Sequence, residues 1–396
     1  GLTMSSIALL IFGILAILHA WLVHAPPRRP GELAVMTFGW SWWGGELPIH
    51  VALIQVVLGF VLVLLGGLDD NPLMGAGGLL GLVVGLLSSA SSWRQASRVQ
   101  RMLSEALGQP VTLAASPLRL VFPFWFRDRE VLCESSVLRE GERLRADIYR
   151  SRHQRAQAPV LIYIHGGGWV LGFRRFQGRL LMRRLVRAGW VCVSIQYRLA
   201  PFSTWPAHIV DVKRAIAWVR RMAPTWNADP SRIAISGNSA GGHLSTLAAL
   251  SPGFAPFQPG FEDEDTRVCA LVTWYGVYDL LDTAKAWPHS ALRRLWELVI
   301  MKHSVRKNPE AFRLASPITH LSPESPPTLI IHGTHDTLVP IASAGAFHEA
   351  FERIAPQRST FWPIASAQHA FEVFWSRRGA YTVDAAATWL DRIAGR

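Results

Sequence analysis

The segment Gly237-Asn238-Ser239-Ala240-Gly241-Gly242 follows the apolar run IAIS and opens a helical pattern. Gly-x-Ser-x-Gly between a strand and a helix forms a sharp turn that lifts the serine hydroxyl clear of a sheet, where a base can take its proton. Glycines must flank it, because side chains there would strike the strand and the helix. A second motif, His165-Gly166-Gly167-Gly168-Trp169, follows the run LIYI. Glycines in that place bare backbone N–H groups that can be aimed at a developing negative oxygen. Two further motifs come late in the chain: His332-Gly333-Thr334-His335-Asp336 after TLII, and Gln368-His369-Ala370-Phe371 after the last strand candidate.

A serine, then an acid, then a histidine, each in a turn after a strand, supply the parts of a nucleophilic acyl transfer. Proton bookkeeping assigns the roles. His369 takes the Ser239 proton and later protonates the leaving alcohol, while Asp336 fixes the imidazole tautomer and stabilises the imidazolium. His332 and His335 compete for the role of base, but they lie in the acid's own loop, too near Asp336 to face it across an imidazole. By position Asp336 outranks Glu372 and Asp384 as the acid. No metal or cofactor is implied. The three cysteines, Cys133, Cys192 and Cys269, are odd in number and far apart, so they build neither a disulfide framework nor a zinc site. Cys192, inside the apolar run Val191–Ile195, reads as a small buried hydrophobe.

The elements that must position these residues alternate from residue 131 onward. Val131–Leu138 and Arg143–Tyr149 read as a hairpin. Short apolar runs then alternate with amphipathic helices such as Ala207–Met222 and Ala240–Leu250, up to a closing helix near Gly379–Ile393. That order predicts an α/β fold, a mostly parallel central sheet wrapped by helices. Residues 131–396 form the expected catalytic domain, with a helical cap insertion at about 283–315. Residues 94–130 are a connector, and the aromatic stretch 116–129 (SPLRLVFPFWFRDR) suits either a core or the entrance for an apolar substrate.

The front third is different. Hydrophobic residues make up 50% of the 396 and charged residues 17%, against about a quarter in an average soluble domain. Residues 1–93 carry only two bases, Arg28 and Arg29, and four acids. Three uncharged stretches, 5–23, 47–68 and 72–93, approach the roughly 20 residues needed to span a bilayer and must be helical there. The third is weakened by five glycines. Stretch 5–23 lacks the basic leader and cleavage site of a signal peptide and reads as a span. Arg28 and Arg29 after the first span, and Arg94, Arg98 and Arg101 after the third, fall on one side, which predicts a cytoplasmic catalytic domain. The turn at Asp69-Asp70 carries no base. Trp40, Trp42 and Trp43 suit the membrane interface. His19, His50 and Gln55 lie within the stretches and suit hydrogen bonds between helices.

The chain is basic, with 40 Lys+Arg against 28 Asp+Glu. Arg174, Arg175, Arg179, Arg183, Arg184 and Arg187 gather around one predicted helix. No nucleic-acid recognition motif accompanies them, and attraction to an anionic leaflet is the favoured explanation. This composition excludes a disordered chain, a collagen and a small disulfide scaffold.

Together, His165–Trp169, Tyr197-Arg198-Leu199-Ala200-Pro201, Gly237–Gly242, Asp336 and His369 resemble the hormone-sensitive-lipase-like family of α/β-hydrolase esterases, over roughly residues 131–396. The resemblance implies an oxyanion hole from the N–H groups of Gly167, Gly168 and Ala240, and an N-terminal cap supplied by residues 94–130. It implies a structural turn at Tyr197–Pro201, with Arg198 as a scaffold ion-pair former and Asp211 in support. Two departures stand out. Asn238 occupies a position where many members carry Asp. The three spans are extra, and are similar to those of membrane-bound actinobacterial carboxylesterases. The expectation is therefore a membrane-anchored serine carboxylesterase or lipase acting on lipid-like esters. An acyltransferase passing the acyl group to an alcohol shares the same acyl-enzyme, and a non-catalytic binding protein on the same fold is the remaining alternative.

Overall fold

The computed structural model describes residues 4–29, 31–69, 71–113, 115–138, 144–152, 154, 156–288 and 290–395. Expectations placed on Asp70 and Arg143 lie outside the described residues. Four helices come first: α1 (Met4–His24), α2 (Gly31–Glu46), α3 (Pro48–Leu64) and α4 (Pro72–Leu107). Helices α1 and α4 are long and apolar enough to cross a membrane, and α2 with α3 forms a third such unit, bent by 95° at the break between them.

The glycines that weaken the third stretch on paper have a packing role. A Cβ on Gly81 would stand 2.3 Å from the carbonyl oxygen of Gly13, and one on Gly13 would stand 2.3 Å from that of Gly78. Helices α1 and α4 thus approach backbone to backbone, as small residues permit within a membrane. Helix α4 also outruns its expected end at residue 93. Asn71 caps it by accepting from the Met74 N–H at 3.0 Å, and it continues through residues assigned to the connector. Its 36 residues measure about 54 Å, against about 30 Å of hydrocarbon. The far end buries Ala96, Val99, Leu103 and Leu107 in the core of the sheet domain.

The stretch 31–46, expected as an interhelical loop with interfacial tryptophans, is helix α2. Its faces differ. Ala34, Ser41 and Gly45 are buried, while Met36, Trp40 and Trp43 are exposed. The rest of the connector holds one short helix, α5 (Pro117–Val121), and packs on residues near 375: Pro123 O accepts from the Trp375 N–H at 2.9 Å, and Phe124 packs on Phe374.

Strands β1 (Val131–Val137) and β2 (Arg145–Ser151) pair antiparallel. Then follow β3 (Ala158–Ile164), α6 (Arg179–Arg187), β4 (Val191–Ile195), α7 (Ala207–Met222), β5 (Ala228–Asn238), α8 (Ala240–Leu250) and β6 (Ala270–Trp274). Next come α9 (Ala291–Leu295), α10 (Pro309–Leu314), β7 (Thr328–Gly333), α11 (Ile341–Ile354), β8 (Ser359–Ile364) and α12 (Arg377–Ile393). The eight strands form one sheet in the order β1-β2-β4-β3-β5-β6-β7-β8, with β2 antiparallel to β4 and β3 through β8 parallel. This is the expected mixed α/β-hydrolase sheet.

Alternation along β3 shows how both faces are covered. Val160, Ile162 and Ile164 face the cluster built on α7 and α8, and Leu161 and Tyr163 face the one built on α6, α12 and the end of α4. Burial on both sides explains why the central strands read as unbroken apolar runs. Each fully buried aliphatic side chain stabilises the fold by about 1.5–3 kcal/mol.

The arginines around α6 serve the fold. Arg183 and Arg187 pair with Asp128, Arg184 with Asp384, Arg174 and Arg175 with Asp147, and the Arg179 guanidinium lies over the Phe126 ring. All six are engaged by acids or an aromatic ring that are distant in sequence.

Candidate active site

Strand β5 ends at Asn238 and helix α8 begins at Ala240, so Ser239 alone makes the turn. Its backbone is strained, with φ 53° and ψ −119°. A non-glycine residue held at positive φ persists only where its surroundings over-determine it. The Ser239 N–H donates to Trp274 O at 2.9 Å, which fixes the turn to the neighbouring strand. Gly241 must lack a side chain, because a Cβ there would stand 2.1 Å from Ile164 O.

His369 lies in the turn after β8, and its Nε2 stands 2.9 Å from Ser239 Oγ. Its Nδ1 donates to Asp336 Oδ2 at 2.7 Å. With Nδ1 protonated, Nε2 is the free acceptor that a hydroxyl proton requires. Asp336 follows β7, and its Oδ1 accepts from the N–H groups of Leu338 at 2.9 Å and Val339 at 2.8 Å. Complete burial pushes this carboxyl upward, but the opposing interactions with His369 and His332 outweigh it and hold the group well below the usual carboxylate range. The carboxylate is thus available to stabilise an imidazolium.

The rival candidates lie elsewhere. His332 Nε2 sits between Val339 O at 2.9 Å and Asp336 Oδ2 at 3.2 Å. His335 Nδ1 donates to Val23 O in α1 at 3.2 Å. Asp384 accepts from Thr112 and Arg184. Glu372 accepts from Tyr275.

The loop after β3 meets the turn at Ser239 through Gly166, where a Cβ would stand 2.7 Å from Asn238 O. Among the described residues, no backbone carbonyl takes up the N–H groups of Gly167, Gly168 or Ala240. Ala240 is also the first residue of α8, where the helix dipole adds positive potential. The base of the loop is tied down. Gly166 N–H donates to Asn238 Oδ1 at 2.8 Å and to Gln177 Oε1 at 2.6 Å. His165 is locked as a neutral spacer: burial holds it down to about 4, its Nδ1 donates to Gly166 O, and its ring stacks on Tyr197 at 4.4 Å. In the turn at Tyr197–Pro201, Arg198 grips Asp211 through both nitrogens, Nε at 2.9 Å and Nη2 at 2.7 Å. From α9, the Leu295 side chain lies 3.8 Å from where a Gly168 Cβ would be.

Two groups of residues escape sequence reasoning. One is on α2. The Phe38 ring meets His369 edge-on, Trp42 Nε1 donates to Ala370 O at 3.0 Å, and Ser41 Oγ accepts from Gln368 Nε2 at 3.3 Å. Gln368 Oε1 in turn accepts from the N–H groups of Thr337 and His369, bridging the acid and base loops. No periodicity in the sequence couples residue 38 to residue 369. The other is Tyr275, which joins Glu372 and Asn238, a residue visible in sequence as a departure, in a cluster buried behind His369. Glu372 was visible in sequence only as a competing acid.

Cys192 is fully buried, in the role expected of it. Among the described residues, no cluster of His, Cys, Asp and Glu has the makings of a metal site.

Residues 146–351, more than half of the chain, match the BD-FAE family. The chain belongs to that family. Its α/β-hydrolase sheet is similar to a truncated form of a carbohydrate esterase from gut microbiota, at 24% identity and a TM-score of 0.58, covering 69% of this chain and 99% of that one. Among curated proteins it is similar to "Probable carboxylic ester hydrolase LipM" of Mycobacterium tuberculosis, 44% identical over 60% of this chain and 54% of LipM. It is also similar to "Esterase LipQ" of the same organism, 42% identical over 61% of this chain and 56% of LipQ. The chain thus spans about half the length of the curated relatives it matches.

Proposed function

We propose that this BD-FAE family member is a membrane-anchored serine carboxylesterase that hydrolyses lipid-like carboxylic esters through an acyl-Ser239 intermediate. One observation carries the reading: Ser239, His369 and Asp336 form an unbroken hydrogen-bonded chain of 2.9 and 2.7 Å at the carboxyl ends of parallel strands.

In this mechanism Ser239 Oγ attacks the ester carbonyl as His369 Nε2 takes its proton. The carbonyl oxygen gains negative charge and is met by the N–H groups of Gly167, Gly168 and Ala240. The C–O bond to the alcohol breaks as His369 returns the proton to the leaving oxygen. Water then repeats the sequence on the acyl-enzyme and frees Ser239. Asp336 holds the imidazole throughout and stays ionised.

Anchoring and substrate class are supported by α2. Its exposed face looks away from the catalytic loops onto a cavity of about 650 Å³ shared with α1 and α3, lined by Phe12, Leu15, Met36, Trp40, Trp43 and Ile54. In this reading α1, α3 and α4 cross the bilayer and α2 lies flat between hydrocarbon and active site. An apolar ester then reaches Ser239 past an interfacial helix. The flanking arginines favour a catalytic domain on the cytoplasmic side. The extra spans and the mycobacterial relatives favour placing the chain with the membrane-bound actinobacterial carboxylesterases and, more broadly, with the hormone-sensitive-lipase-like enzymes.

The test is Ser239→Ala in the full chain, in membranes. Hydrolysis of p-nitrophenyl esters and fluorophosphonate labelling should both vanish, while the thermal melt is retained. Undiminished hydrolysis by the variant removes Ser239 as the nucleophile. Lipid profiling of membranes incubated with active and variant protein identifies the natural ester, and a reporter fused after residue 396 reads the orientation.

A further inference from the structure

Glu372 stands three residues beyond His369 and takes no part in the proton transfers above. Its side chain is buried, with both carboxylate oxygens 2.6 Å from the Tyr275 hydroxyl and Oε1 accepting from Asn238 Nδ2 at 3.3 Å. Asn238 Nδ2 also donates to the Tyr275 hydroxyl at 3.1 Å, and Asn238 Oδ1 accepts the Gly166 N–H. The Tyr275 ring packs on His369 with centroids 4.4 Å apart. One buried polar cluster therefore touches the residue before the nucleophile, the root of the oxyanion loop and the general base.

We propose that Asn238 and Glu372 are a matched amide–carboxyl pair of positioning residues that holds the Gly166–Gly168 loop and His369 in register with Ser239, and that the pair tolerates one carboxyl only. The proposal rests on the reading of Ser239 as nucleophile.

The argument is one of donors and acceptors. An amide at 238 accepts from Gly166 with its oxygen and donates to Glu372 with its nitrogen. An aspartate there accepts from Gly166 equally well, but its second oxygen faces Glu372 Oε1 with no proton between them. Two buried carboxylates at that separation cannot both be ionised, so the pair must share a proton or move apart. Moving apart shifts the oxyanion loop against the base. Tyr275 after β6, Tyr163 on β3 and Glu46 on α2 are the titratable groups around Glu372, and Glu46 is itself paired with Arg378 on α12. Burial, with Glu46 acting in the same direction, pushes Glu372 up to about 7, so a second acid beside it meets an already strained ionisation.

The test is a double-mutant cycle in the full chain: wild type, Asn238→Asp, Glu372→Gln and the double variant. Each is assayed for kcat and KM on a p-nitrophenyl ester from pH 7 to 9, with a thermal melt to confirm folding. Asn238→Asp should lower kcat about tenfold with KM nearly unchanged, and its deficit against wild type should widen as pH rises and the shared proton is lost. The double variant, again with one acid and one amide, should recover to within about threefold of wild type. A double variant no faster than Asn238→Asp, or an Asn238→Asp protein with wild-type kcat across the pH range, overturns the proposal. If Asn238→Asp does not fold, the double variant decides alone: a folded, active double variant supports the pair and an unfolded one overturns it. Failure of the nucleophile reading is seen separately, as hydrolysis that survives Ser239→Ala.

Discussion

The ring of Phe38 meets the imidazole of His369 edge-on, with centroids 6.4 Å apart and planes at 74°. The two residues lie 331 positions apart, one on a helix of the apolar front third and the other in the last turn of the sheet domain. The proposed general base is therefore walled by the same helix that faces the α1–α3 cavity.

Phe38→Ala should reduce kcat/KM roughly tenfold, because small displacements of a catalytic base are amplified in rate. Trp42→Phe keeps the ring but loses the hydrogen bond to Ala370 O, and should cost about 1 kcal/mol of stability. Steady-state kinetics and thermal melts on the purified full chain check both. Kinetics unchanged by Phe38→Ala would mean that α2 is packing alone.

Glu46, at the end of α2, forms a fully buried ion pair with Arg378 on α12, and Ser376 Oγ donates to the same carboxylate at 2.9 Å. Removing one partner strands the other charge. Glu46→Ala should therefore destabilise the protein by about 3–5 kcal/mol, whereas replacing both residues with methionine should be close to neutral. Denaturation of the single and double variants in detergent measures the difference. Equal losses in the two would refute the stranded-charge account.

Glu372 gives stability a pH dependence of known sign. Its carboxyl is pushed up to about 7 in the fold, against 4.5 when free. Between those values the native state holds a proton that the unfolded chain has released, so stability falls as pH rises from about 4.5 through 7, by up to about 3 kcal/mol. Asp336 acts in the opposite direction: it contributes stability above its ordinary titration range, which is lost only as pH falls through its depressed value. Glu372→Gln should thus gain on wild type more at pH 8 than at pH 5. Melting curves of both proteins at the two pH values decide it, and a gain independent of pH counts against a titrating Glu372.

The sheet and the turn at Ser239 were legible because their determinants are local. The glycines at 237 and 241, the run before them and the start of the helix after them all sit within a dozen residues. His369 and Asp336 could be chosen by chain order and by their place after apolar runs. Helix α2 was not legible: Gly39, Gly44 and Gly45, the Arg28-Arg29 pair and Glu32 break the apolar run, and the partners that make it a helix, Ala370 and Gln368, lie at the other end of the chain. The partners of the arginines near α6 were hidden for a related reason, since Asp128, Asp147 and Asp384 reach them only through the fold. Asn238 was legible as a departure, but Glu372, which gives that amide its purpose, is 134 residues away.

Helix α4 runs without a break from the apolar bundle into the sheet domain and ends there in a buried seam against α12. Such a rod works as a keyed shaft. One residue inserted near Trp93 would demand a turn of about 100° and a rise of about 1.5 Å, against the contacts that α1 and α2 make with the sheet domain. In the proposed membrane-anchored arrangement, the residue count of α4 and the contacts of α2 with residues 368–378 together set the azimuth of the active-site mouth above the lipid plane.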